Sequence, residues 1–102
     1  MKPLRWTSAA ARDLEDIWVW IAAGSPASAR RVAREIIAAS RMLAAMPGLG
    51  HVHEHLPSHL RVYRVRDWLI VHYETENILE LVRIISGRRD LRLLTFEPPR
   101  ES

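Results

Sequence analysis

Cysteine is absent from the 102 residues, which excludes disulfide staples, thiolate metal sites and thiol nucleophiles together. Lysine is nearly absent: Lys2 is the only one, and the other fourteen cations are arginine. The four glycines are too scattered to form a loop that cradles phosphate. No serine stands in a Gly-x-Ser-x-Gly turn, so the strained-elbow hydrolase arrangement is missing. The longest apolar run, residues 17–23, falls far short of the ~20 residues that a membrane span needs. Met1-Lys2-Pro3 opens without an apolar stretch, so no signal peptide is expected and the cytoplasm is the expected compartment.

What is present fits one small domain over residues 1–102, with 93–102 as a tail. A chain of 11.8 kDa with 48% hydrophobic and 26% charged residues has an ordinary globular balance, and it buries roughly two-thirds of its unfolded surface. The net charge is +3. A cation set made almost wholly of arginine suits an acidic partner, because the guanidinium is a planar, permanently charged fork; the same bias also fits a GC-rich coding sequence.

The first half reads as helical. Thr7 and Ser8 are cap residues, and Leu14, Ile17, Trp18 and Ile21 share one apolar face. Asp13, Glu15 and Asp16 sit in the early turns, where the helix dipole favours negative charge. Gly24 offers a stop, and Ser25-Pro26 opens a second helix with an apolar face of Ala29, Val32, Ile36, Ala39, Leu43 and Met46. Arg30, Arg34 and Arg41 lie on its outer face. So short a link makes the two helices an antiparallel hairpin. Residues 49–59 read as a histidine-rich loop. Residues 60–66, 68–74 and 78–86 then read as strands, joined so tightly that they form an antiparallel meander, and residues 3–6 supply a further short strand. The expected fold is α+β: an antiparallel helical hairpin on a small, mostly antiparallel sheet of three to four strands.

Alternate histidines at 51, 53 and 55 in an extended segment point to one side, with His59 close by. Glu54 is the only carboxylate near them, and a closed zinc site draws four ligands from rigid pieces, so a solvated loop is expected, with no metal and no cofactor. RNA cleavage without metal wants a base beside cationic groups. The cations are plentiful at Arg61, Arg64, Arg66, Arg83, Arg88, Arg89 and Arg92, and Tyr63 and Tyr73 supply hydroxyls. The best bases on offer are the rim histidines His59 and His72. Arg83, inside the apolar stretch Leu81-Val82-Arg83-Ile84-Ile85, is either paired with a carboxylate such as Glu74 or Glu80 or reserved for a partner.

Several ordered stretches carry a family likeness. Trp6-Thr7, Asp13-Leu14-Glu15-Asp16-Ile17, Trp20-Ile21, Pro26-Ala27 and Ala29-Arg30-Arg31-Val32 resemble the opening of RelE/ParE-type toxins of bacterial toxin–antitoxin modules. Leu56-Pro57, Leu60-Arg61, Trp68-Leu69-Ile70-Val71, Leu81-Val82-Arg83-Ile84-Ile85 and Gly87-Arg88-Arg89-Asp90 resemble their sheet. The resemblance runs over about residues 4–92 and implies the same hairpin-on-sheet fold. Its RelE-like branch cuts mRNA at the ribosome with lysines and arginines on the sheet and a near-terminal arginine and tyrosine. Here lysine is missing beyond Lys2, and no tyrosine follows Gly87.

The ParE-like branch, which the strand end resembles more, implies a toxin that inhibits DNA gyrase by protein–protein binding and is neutralised by a ParD-like antitoxin. On that reading nucleic acid is met only through gyrase, and the toxin carries no catalytic residue. Ribosome-dependent mRNA cleavage is the alternative. The expected toxicity residues are Arg61, Arg83, Arg88 and Arg89. The expected antitoxin contacts are Val19, Trp20 and Ile37, apolar side chains placed off the core faces.

Overall fold

A computed structural model of the chain describes residues 1–89 and 91–94. Asp90 and residues 95–102, which include Phe96 and Pro98-Pro99 of the expected tail, lie outside the described residues.

Helix α1 (Ser8–Ala22) starts where Thr7 turns extended and its hydroxyl accepts from the Ala10 N–H at 3.0 Å. Helix α2 (Pro26–Ala45) repeats the device, with Ser25 accepting from the Ser28 N–H at 3.2 Å and proline in the first turn, where its missing N–H is no loss. Strands β1 (Leu4–Trp6), β2 (His51–Val52), β3 (Leu60–Val65), β4 (Trp68–Glu74) and β5 (Leu79–Ser86) form one sheet in the order β1-β5-β4-β3-β2. The expected meander is β3-β4-β5, and β1 lies parallel along β5. The sheet has five strands rather than three or four. The extra strand comes from the histidine segment, where His51 and Val52 pair with Val62 and Arg61; two residues are too short to show an alternation.

Both sheet faces carry a core. On one, Ile70, Leu79, Leu81 and Ile84 pack against Ala10, Ile17, Ile36 and Leu43 of the helices. On the other, Val62, Leu69, Val71 and Ile85 are covered by Leu56 from the loop and by Leu91 from a 3₁₀ turn (Leu91–Leu93). The uninterrupted run Leu69-Ile70-Val71 is the mark of a strand buried on both sides. Two residues expected on core faces are instead exposed: Trp18 falls on the flank of α1, and Met46 lies beyond the last turn of α2.

One irregularity shapes the edge. Val71 pairs with Arg83 but His72 pairs with Leu81, so Val82 is an extra residue, a β-bulge. Past Trp6, where β1 ends, the start of α1 takes over the edge of β5. The Thr7 N–H donates to the Leu81 carbonyl at 3.0 Å and its hydroxyl to the Val82 carbonyl at 2.8 Å. The Ile84 N–H donates to Asp13 Oδ2 at 2.9 Å.

Candidate functional site

The strand arginines do not form one patch; backbone alternation and pairing sort them into three places. Arg83 donates from Nε to Asp13 Oδ2 at 2.7 Å and from Nη2 to Oδ1 at 3.1 Å, a bidentate pair that raises its pKa. Its carboxylate partner is therefore Asp13, not Glu74 or Glu80. Glu74 instead receives Lys2 at 2.5 Å and the Gly48 N–H at 3.2 Å, and Glu80 lies 3.8 Å from Arg5. Asp13 also loses its expected role: it tethers α1 to β5 instead of sitting opposite the helix dipole. Arg61 is half-buried beside β2, with its guanidinium 3.4 Å from the Gly50 carbonyl.

The remaining arginines gather where the β3–β4 turn meets the end of β5, because Trp68 pairs with Ser86 and the Gly87 N–H donates to the Asp67 carbonyl at 2.8 Å. Arg66 closes that turn in the left-handed region (φ +54°) and pairs with Glu35 of α2. Arg64 donates to the Arg66 carbonyl at 3.2 Å. Arg88 and Arg89 follow on the surface. Trp20 stands edge-on to Trp68, with ring centroids 6.4 Å apart, so an exposed indole adjoins the same end.

Beside this cluster, on the sheet face away from the helices, lies an open cleft of about 590 Å³. Arg64, Arg89, Arg92, His51, His53 and His55 line it, over a floor that includes Val62, Leu69 and Leu91. The short strand β2 creates the cleft by laying the histidine segment along β3, which no local sequence signal announces. Among the described residues no group of three or more His, Asp or Glu side chains is arranged to hold a metal ion.

Of the expected antitoxin contacts, Val19 and Trp20 are 63% and 73% exposed, whereas Ile37 is half-buried, its position on α2 turned further inward than an exposed contact requires. The two candidate bases also separate. His59 is exposed and stands edge-on to Tyr73, with centroids 5.5 Å apart. His72 is no rim residue. It is fully buried, Nδ1 lies 3.2 Å from the Ile70 carbonyl and Nε2 lies 3.2 Å from the Leu49 carbonyl. Burial lowers its pKa against the pull of those carbonyls, so it packs as a neutral core residue.

Sequence reasoning missed two supports. Gly50 (φ +99°) leaves space for the His72 ring, since a Cβ there would come within 2.8 Å of Cε1. Gly87 does the same for Arg64, whose Nη2 lies 2.9 Å from where a Cβ would stand.

No curated protein matches the sequence. Among ten solved chains that do match is one described as "Chromosomal ParDE TA system from P. aeruginosa", with a TM-score of 0.70 and 22% identity, covering 84% of this chain and 96% of that one. At that identity the likeness speaks for the fold alone. The family model for the ParE toxin of the type II toxin–antitoxin system parDE matches residues 4–91, from the first residue of β1 to just past β5. A match over that span, on the hairpin and sheet just described, means that the chain belongs to the ParE toxin family of type II toxin–antitoxin systems.

Proposed function

We propose that the protein is a cytoplasmic toxin that inhibits DNA gyrase by protein–protein binding and is neutralised by a ParD-like antitoxin. The observation that carries this reading is the ParE family match over residues 4–91. The geometry supports it in two ways. Val19 and Trp20 leave an apolar strip on α1 that an amphipathic antitoxin segment would cover. Arg88 and Arg89 stand exposed just beyond β5, where their forks can meet carboxylates on gyrase or phosphates of the DNA it holds. Arg83 is engaged by Asp13, so its share in toxicity is to hold β5 in place, and Arg61 sits apart beside β2. With His72 buried at two backbone carbonyls, a binding mechanism suits the chain better than general base catalysis.

The test pairs two assays on the purified protein. Gyrase supercoiling should be inhibited while ribosome-bound mRNA in a translating extract stays intact. Site-specific mRNA cleavage with supercoiling untouched would reverse the reading. The double variant Arg88→Ala/Arg89→Ala should lose more than about tenfold in gyrase inhibition, since each charged contact is worth roughly 1–3 kcal/mol. Circular dichroism and antitoxin binding should be unchanged. A folded double variant that arrests growth as fast as the wild type would put the toxic surface elsewhere.

A further inference from the structure

The cleft on the sheet face away from the helical hairpin shares Arg89 with the proposed gyrase contact, and its other lining residues take no part in that contact. Three arginines and three histidines line it, and among the described residues no carboxylate does. Glu54, 3.5 Å from His55 Nε2, extends into solvent and is not part of the lining. At about 590 Å³ the cleft is of the size that takes one small organic ligand.

We propose that this cleft binds a phosphate ester. Guanidinium forks and imidazole N–H groups are donors matched to phosphate oxygens. The floor of Val62, Leu69 and Leu91 offers apolar surface on which the sugar and base of a nucleotide can rest. The site is partly organised in advance. Arg64 is held by its hydrogen bond to the Arg66 carbonyl and by its seat on Gly87, so less side-chain freedom is lost when it meets an anion. Arg89 enters from the turn after β5, and His51 and His53 enter from β2 and the residue after it, so the N–H donors come from opposite walls.

The ligand chemistry has two sources, a free nucleotide or the backbone of a nucleic-acid strand, and both present the same phosphate ester. Binding is read on the isolated protein without gyrase, so its outcome and that of the proposed function are separate.

The experiment is a titration of the full chain with inorganic phosphate, thymidine monophosphate and a short oligothymidylate. It is followed by calorimetry and by amide chemical shifts, at about 0.15 M ionic strength, where the Debye length of about 8 Å screens diffuse attraction. Shifts should concentrate at Arg64, Gly87, Arg89 and residues 51–55. Arg64→Gln/Arg89→Gln should weaken binding by about tenfold or more, whereas Arg30→Gln/Arg34→Gln on the outer face of α2 should leave it unchanged. Val52→Glu, on the edge strand at a position 60% exposed, should weaken it likewise by placing a carboxylate at the rim. Tighter binding of the oligonucleotide than of the mononucleotide would support a strand as the source, and equal binding a free nucleotide. Absence of saturable binding by all three probes would overturn the proposal. So would equal weakening by the α2 variant, or no change on Arg64→Gln/Arg89→Gln and Val52→Glu.

Discussion

His72 shows how one side chain can look catalytic in a sequence and be structural in the fold. Both ring nitrogens face backbone carbonyls, yet a neutral imidazole has one N–H, so only one of the two receives a proton. Protonation would serve both, but burial outweighs that gain and lowers the pKa. The folded-state value therefore lies below the unfolded value of about 6.5. The unfolded chain takes up the proton first, so this residue's stability contribution is complete above about pH 6.5 and is lost as pH falls toward the folded-state pKa. Thermal melting should be steady from neutral pH down to about 6.5 and then decline, by up to about 1.4 kcal/mol per pH unit from this group. His72→Gln should flatten that decline. An equally steep acid slope in the variant would place the titration elsewhere.

At the scale of elements, the decisive contact joins the start of α1 to the bulged part of β5. Strand β1 covers β5 only as far as Leu81, and beyond it Thr7 and Asp13 supply the missing partners. Edge groups that would otherwise invite another strand are thereby closed off. Asp13 and Arg83 are mostly buried, with 15% and 23% of their side chains exposed, so removing one leaves its partner poorly compensated. A fully buried pair broken on one side loses about 3–5 kcal/mol, and this partial exposure reduces the expected cost of Asp13→Ala to about 2–3 kcal/mol. Urea denaturation of Asp13→Ala, Arg83→Ala and the double variant measures it, and the double variant should cost clearly less than the two singles added together. If Arg83→Ala left stability untouched but abolished gyrase inhibition, the residue would belong to the toxic surface instead.

Among the described residues the sheet carries a helical hairpin on one face and a loop and a short turn on the other. An exposed strip at Val19 and Trp20 adds apolar surface that no described residue covers. A partner that binds only the folded chain stabilises it by mass action, by about 2.7 kcal/mol at a hundred times its dissociation constant. For a chain of this size that corresponds to a rise in melting temperature on the order of 10 °C. Melting should be followed with and without a saturating C-terminal segment of the antitoxin, and again with Trp20→Ala, which should lower the gain. An unchanged melting temperature at saturation would remove the α1 docking surface.

The sequence by itself determined the parts whose physics is local. Thr7 and Ser25 cap their helices because a side-chain oxygen three residues ahead of an orphan N–H is a short-range arrangement, and the apolar faces of both helices follow from their period. Strands β3, β4 and β5 were legible from their branched and aromatic content and the tight turns between them. The ordered set of residues from Trp6 to Asp90 also carried the family resemblance. Tertiary structure alone decided the rest. Asp13 meets Arg83 across seventy residues, His51 and Val52 become a strand only because β3 offers its edge, and His72 goes under the loop because Gly50 leaves room. Each of these depends on which strand neighbours which and in what register. That choice is made by burying both faces of the sheet at once, and no stretch of sequence a few residues long can record it.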